Sequence, residues 1–144
     1  MRTQFARGAV TLSGTLDSTP TAIVVAGDEE TRVLLRGLLR LHHFRVDGEA
    51  HGATEAIDLV RTHKPSLLVV DASLAEGSSS LLVAHARTLA PGVRVILVAP
   101  ASRPPTLPSD PVARPDVVLL RPFRIRQFAE ALAPTGPGGP SGSL

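Results

Sequence analysis

The sequence predicts an α/β domain in which parallel strands alternate with helices that cover both faces of one sheet. Two observations lead to this fold class. Short apolar runs recur along the chain, and most of them are followed by a segment with helical spacing of apolar residues. The central runs, 66–71 (SLLVVD) and 93–99 (VRVILVA), are apolar at consecutive positions, which is typical of strands buried on both faces of a parallel sheet.

The first half of the chain supplies two strands and two helices. The run 21–26 (TAIVVA) is predicted as a buried strand, and Asp28 follows it as a helix N-cap. A leucine-rich stripe then predicts the first helix, out to about His42. The alternating segment 44–48 predicts a strand nearer the sheet edge, and a second apolar stripe predicts a helix that ends before Pro65.

The second half repeats the alternation. The strand that ends on Asp71 is followed by Ser78–Ser80, which offer N-caps for a third helix. The apolar runs 93–99 and 116–120 predict the fourth and fifth strands. A final helical stripe is predicted to begin near Pro122.

The segment between the fourth and fifth predicted strands lacks a helical pattern. Residues 100–116 contain six prolines. A proline inside a helix costs about 3 kcal/mol, because it removes a hydrogen bond and clashes with the preceding turn. We therefore expect an irregular or extended loop at the place where the alternation predicts a fourth helix.

Three parts of the chain differ in composition. Residues 1–19 show no sustained apolar period and are predicted as a flexible leader, and one domain occupies residues 20–133. Residues 134–144 (PTGPGGPSGSL) are predicted as a flexible tail, because proline, glycine and serine cannot pack a core.

Composition excludes several classes of function. The chain has no cysteine, which excludes disulfides, thiolate metal sites and a cysteine nucleophile. Residues 20–133 hold 13 basic and 12 acidic residues without a basic cluster, which argues against nucleic-acid binding. No apolar run approaches the roughly 20 residues of a membrane span, so we expect a cytoplasmic protein with no membrane partner.

The predicted strand ends resemble those of the receiver domain of bacterial two-component response regulators. The resemblance covers residues 21–133 and rests on the order and spacing of four segments, which are IVV at 23–25, LLVVD ending at Asp71, VILVA at 95–99 and LLRPF at 119–123. It implies a flavodoxin-like, doubly wound sheet of five parallel strands in the order 2-1-3-4-5, here with a Pro-rich loop for the fourth helix. It also implies a role in phosphorelay signal transduction.

Carried over residue by residue, the resemblance implies an altered phosphorylation site. Asp71 matches the phosphoacceptor aspartate, and Arg121 stands where the family has its lysine. The acidic pair that holds magnesium in the family falls on Ala26 and Gly27, with Asp28 one position further on. Neither Ala26 nor Gly27 can bind a metal through its side chain.

Both positions of the family's conformational switch are changed as well. Ala99 stands where the family has a serine or threonine hydroxyl, and Val118 stands at the aromatic switch position. The face that the family uses for switching and dimerisation also lacks a regular fourth helix. The resemblance further implies a cis peptide bond between Arg121 and Pro122.

These changes leave two interpretations of Asp71. In the favoured one, Asp71 pairs with Arg121, and the ion pair replaces both metal and lysine. The domain then has no catalytic residue, metal or cofactor, and binds a protein partner such as a histidine kinase, another signalling protein or a second copy of itself. In the alternative, a histidine kinase transfers a phosphoryl group to Asp71 with Mg²⁺ bound.

Other candidate sites have weaker support. His42, His43 and His51 lack acidic or cysteine partners that would complete a metal shell. The acidic cluster at 28–30 has the composition of an N-cap and first helical turn. No G-x-S-x-G elbow accompanies the serines, and Gly27 alone does not make a nucleotide-binding loop.

Overall fold

Five parallel strands form one sheet in the computed structural model, which describes residues 19–74 and 78–133. The elements in chain order are β1 (Thr21–Val25), α1 (Glu29–Leu41), β2 (Arg45–Ala50), α2 (Ala53–His63), β3 (Leu67–Asp71), α3 (Ser78–Leu89), β4 (Arg94–Pro100), β5 (Val117–Arg121) and α4 (Ile125–Leu132). The strand order is β2-β1-β3-β4-β5, and all neighbouring strands are parallel. The predicted flavodoxin-like fold and strand order are confirmed. The predicted tail, and the leader up to residue 18, lie outside the described residues.

Alternate residues of the central strands bury two apolar layers on opposite faces of the sheet. The layer beneath α2 and α3 includes Ile23, Val25, Leu68, Val70 and Leu97. The layer beneath α1 and α4 includes Val24, Leu35, Val69, Val98 and Phe128. Every residue of β3 is buried, because helices cover the sheet on both sides. Burial on both faces of the sheet is the reason that the central strands are apolar at consecutive positions in the sequence.

Side-chain hydrogen bonds cap the starts of α1 and α4. Asp28 caps α1, as predicted, by accepting a hydrogen bond from the Thr31 amide at 2.9 Å. The last helix begins at Ile125 and not near Pro122, which corrects the predicted boundary. The reason is a cap at Arg124, whose backbone N–H donates to Gln127 Oε1 at 2.7 Å. No helix among the described residues is long and apolar enough to cross a membrane.

A Pro-rich loop replaces the fourth helix of the predicted alternation, as expected from its prolines. Between β4 and β5 the only helical structure is a three-residue 3₁₀ turn at Pro111–Ala113. The loop packs against α3 and β4, where Pro105 and Leu107 lie beside Val83 and Leu97. The apolar loop residues thus take over part of the cover that a helix would give this face.

Asp116 anchors the end of the Pro-rich loop. Its Oδ2 atom accepts a hydrogen bond from the Val95 amide at 2.7 Å and lies 3.3 Å from Nη2 of Arg87 on α3. Arg87 also donates to the backbone carbonyl of Arg114. These contacts fix the point at which β5 begins, and therefore the position of Arg121 at its other end.

We expect the Asp116→Ala substitution to lower the free energy of unfolding by about 1–3 kcal/mol, because the Val95 amide loses its acceptor and Arg87 loses its ion pair. Urea denaturation followed by circular dichroism measures the change. Asp58→Ala is the matched control, since Asp58 pairs with Arg61 on the exposed side of α2. Its effect should stay below about 0.5 kcal/mol. Equal effects of the two substitutions would show that Asp116 is not an anchor.

Candidate functional site

The carboxyl ends of β1, β3 and β5 bring the predicted site residues to one edge of the sheet. Asp71 is the last residue of β3, and Arg121 is the last residue of β5. Ala26, Gly27 and Asp28 follow β1 and lead into α1. In doubly wound sheets this edge forms the crevice in which ligands bind. The topology therefore brings together residues that are up to 95 positions apart in the sequence, from Ala26 to Arg121.

Asp71 and Arg121 form an ion pair across β4. Arg121 Nη2 lies 3.6 Å from Asp71 Oδ1, and the two side chains are 31% and 2% exposed. The same Asp71 oxygen accepts a hydrogen bond from the Ser73 amide at 3.1 Å. The proximity predicted for Asp71 and Arg121 is confirmed. An uncompensated buried carboxylate is costly, and Arg121 supplies the counter-charge of Asp71.

Asp28 has a carboxylate that is held in its charged form. Its pKa lies below the ordinary value of 3.8, chiefly because the backbone N–H and then the hydroxyl of Thr31 donate hydrogen bonds to it. Partial loss of hydration opposes this, and the charges of Arg32 and Arg121 lower the pKa further. Both Thr31 contacts are made with Oδ2 at 2.9 Å. The N-cap of α1 is thus electrostatically coupled to the Asp71–Arg121 pair.

Arg32 is a site residue that the sequence interpretation missed. Its Nη1 atom donates to the carbonyl of Ala26 at 2.6 Å, and its Nε atom lies 3.9 Å from Glu49 Oε1 on β2. A guanidinium therefore stands at the end of β1, beside Ala26 and Gly27. A signal was present in the sequence, because Arg32 follows Asp28 by four residues and so lies on the same side of α1.

The residues present do not fit a magnesium ion. Magnesium requires oxygen ligands in near-octahedral geometry, commonly with one or two carboxylates. Ala26 and Gly27 have no side-chain oxygen, and the Ala26 carbonyl accepts a hydrogen bond from Arg32. The carboxylates of Asp28 and Asp71 contact Thr31 and Arg121, respectively. The described ranges contain no cluster of three His, Cys, Asp or Glu residues that could hold a metal ion.

The two residues that the resemblance places at the switch positions, Ala99 and Val118, have apolar aliphatic side chains. Ala99 is fully buried in β4 and pairs in register with Leu120, so no hydroxyl stands at the end of β4. Val118 is half-buried in β5 and pairs with Leu97, well before the end of the strand. Their equivalence to the family's switch remains a prediction from the resemblance. The bond between Arg121 and Pro122 is cis, as the resemblance implied.

We expect the Arg121→Ala substitution to lower the free energy of unfolding by about 1–3 kcal/mol, because the buried Asp71 carboxylate loses its counter-charge. In an Asp71→Asn background this loss should be smaller by about 0.5–3 kcal/mol, since no buried charge then remains to be compensated. Urea denaturation of the four proteins in this double-mutant cycle measures the coupling. Arg61→Ala with Asp71→Asn is the control pair and should be additive, because Arg61 lies on α2 and pairs with Asp58. Additivity in both cycles would refute the ion pair.

The lowered pKa of Asp28 predicts a pH-dependent contribution to stability. Folding favours the charged carboxylate of Asp28. Its contribution to the free energy of unfolding is therefore complete above pH 3.8, and it is lost as the pH falls through the lower pKa that Asp28 has in the folded state. We expect Asp28→Ala to destabilise the protein most near neutral pH and progressively less in acid. Asp28→Asn retains a side-chain acceptor for Thr31 and should cost less, without that pH dependence. Urea denaturation between pH 7 and pH 3 separates the two variants, and a deficit of Asp28→Ala that does not change with pH would contradict this assignment.

Comparisons with solved structures identify the fold. The chain is similar to a CheY-like response regulator receiver domain protein from Methanospirillum hungatei JF-1, with TM-score 0.67 and 21% identity over 78% of this chain and 90% of that chain. The chain is also similar to a signal receiver domain of an HD domain-containing protein from Pseudomonas fluorescens Pf-5, with TM-score 0.65 and 20% identity over 78% of this chain and 90% of that chain. A CheY-like response regulator receiver domain from Methylobacillus flagellatus has TM-score 0.65 and 19% identity over 77% of this chain and 93% of that chain.

The sequence comparisons complement this result. No family model and no curated protein sequence matches the chain. The strand order and the parallel pairing of the chain are those of the receiver arrangement. The chain has the fold of response regulator receiver domains.

Proposed function

We propose that this chain is an atypical receiver domain that acts in signal transduction as a protein-interaction module, without magnesium-dependent phosphorylation. The observation that carries this proposal is the ion pair between Asp71 and Arg121. The carboxylate that would accept a phosphoryl group is buried and is already compensated by a fixed positive charge. The domain thus has no need of a metal to neutralise this position.

The chemistry of phosphoryl transfer supports the proposal. Transfer to a carboxylate needs cations and hydrogen-bond donors arranged around the three phosphoryl oxygens, together with in-line positioning of the nucleophile. In this chain the positions equivalent to the metal ligands are Ala26 and Gly27, and the position equivalent to the hydroxyl is Ala99. Arg121 keeps a positive charge at the position equivalent to the family's lysine, but its planar guanidinium has a different shape from a lysine ammonium.

The absence of switch side chains supports a module with one conformation. In the receiver family a phosphorylation signal moves a hydroxyl and an aromatic ring, and Ala99 and Val118 have neither. The Pro-rich loop stands in place of the fourth helix, and its Leu107 and Val112 are 37% and 49% exposed. We propose this loop as the docking element for a cytoplasmic signalling protein, and we assign no enzymatic turnover and no nucleic-acid binding to the domain.

A second candidate function is phosphorylation of Asp71 by a histidine kinase. It is favoured by the position of Asp71 at the end of β3 and by the positive charge of Arg121 at the end of β5. In that case Arg121 would release Asp71 and contact the phosphoryl group. Magnesium would then need ligands other than those that the site presents.

Titration with Mg²⁺ and beryllofluoride, followed by amide NMR spectra, distinguishes the two functions. We expect no saturable shifts near Asp71 in the natural chain up to millimolar Mg²⁺. The matched control combines Gly27→Asp with Arg121→Lys, which adds a carboxylate and the family's lysine. A Cβ atom at Gly27 meets nothing within 4 Å, so the fold can accommodate the new side chain. This control should bind Mg²⁺ more tightly than the natural chain.

The proposal would be overturned by saturable, Mg²⁺-dependent shifts of the natural chain that disappear in Asp71→Asn. It would also be overturned by incorporation of phosphate at Asp71 from acetyl phosphate, detected as a mass increase of the intact protein. Either result would establish the phosphoacceptor function.

A further inference from the structure

Helix α1 presents an apolar face to solvent. Its opposite side packs into the core through Thr31, Leu35 and Leu39. On the solvent side, Val33, Leu34 and Leu41 are 45%, 51% and 59% exposed. The outer face of a surface helix is normally polar, and an exposed apolar patch with a polar rim is typical of a protein–protein contact.

A glycine lies in the middle of this patch. Gly37 is exposed, and a Cβ atom built on it would meet nothing within 4 Å. No contact inside the described chain therefore requires glycine at this position, although glycine is unfavourable in the interior of a helix. Between Leu34 and Leu41 it leaves a shallow depression that can receive a side chain from outside.

Opposite charges lie at the two ends of the patch. Glu30 is in the first turn of α1 and Arg40 in the last, and both are exposed. Neither takes part in an ion pair within residues 19–74 and 78–133. We define the α1 face as the set Glu30, Val33, Leu34, Gly37, Arg40 and Leu41.

We propose that the α1 face binds a second copy of this chain, with the two α1 helices antiparallel across a two-fold axis. If Leu34 fills the depression at the partner's Gly37, the axis passes between positions 35 and 36. Glu30 then lies level with the partner's Leu41 and within one residue, about 1.5 Å along the helix, of the partner's Arg40. The two-fold axis produces each of these contacts twice.

The charge distribution favours a second copy over an unrelated occupant. A surface with an acidic end, an apolar centre and a basic end is complementary to itself when one copy is reversed. The antiparallel arrangement also places the positive N-terminal end of each helix dipole beside the negative C-terminal end of the other. The α1 face itself contains neither Asp71 nor Arg121, and the proposal does not rest on the proposed function.

A cleft beside α1 can enlarge the interface. A groove of about 510 Å³ lies between α1 and the start of α4, and it is lined by Leu34, Leu38, Arg121, Pro122, Phe123 and Ile125. Ile125 is 59% exposed. Helix α1 has 13 residues and is about 20 Å long, so contacts in this groove would add to the area that one helix pair can bury.

Sedimentation equilibrium of the full chain, in buffer without Mg²⁺, tests the proposal. We expect a reversible monomer–dimer equilibrium whose dissociation constant rises at least tenfold in Leu34→Glu. Glu30→Arg and Arg40→Glu should each weaken the dimer, and the double variant Glu30→Arg/Arg40→Glu should restore it. Gly37→Ala should weaken the dimer by filling the depression while raising the melting temperature of the monomer, so loss of folding cannot explain its effect.

Leu81→Glu is the matched control, because Leu81 is 74% exposed on α3 and lies outside the α1 face. It should leave the dissociation constant unchanged. A natural chain that stays monomeric at millimolar concentration would overturn the proposal and leave the face to a different protein. A dimer that Leu34→Glu does not weaken, or a double charge reversal no tighter than the single ones, would also overturn it.

Discussion

Asp71 buries its carboxylate at the end of the central strand, with 2% of the side chain exposed. A charge at this depth needs compensation, because removal of a carboxylate from water costs several kcal/mol when no partner is present. Arg121 supplies the compensating charge from β5, two strands away. The site at this edge of the sheet consequently depends on where β5 begins and how far it extends.

The path of the Pro-rich loop determines where β5 begins. Six prolines prevent a regular helix between β4 and β5, so the chain reaches β5 by a different path. Asp116 then ties the end of this path to β4 and α3 through Val95 and Arg87. The loss of a helix and the position of Arg121 are therefore linked by one anchor, although Asp116 and the ion pair lie at opposite ends of β5.

Helix α1 connects the site to the surface. Its N-cap, Asp28, is stabilised by Thr31 and by the charges of Arg32 and Arg121, and Arg32 also holds the Ala26 carbonyl. The outward side of the same helix is apolar around Gly37. Helix α1 thus carries both an arginine that contacts the end of β1 and an exposed apolar face. Both are consistent with a domain that works through contacts and not through phosphorylation.

Local sequence determined the fold class, the existence of every described strand and α-helix, and the absence of a regular helix between β4 and β5, because burial on two faces and proline chemistry leave direct patterns in the chain. The pairing of Asp71 with Arg121 was also predictable, since parallel strands end at one edge. Only the tertiary structure decided that Arg32 would reach the Ala26 carbonyl, that Gln127 would delay the last helix to Ile125, and that Asp116 would anchor the loop. Each of these depends on distances between side chains and backbone groups that packing sets, and such distances have no periodic signature in a sequence.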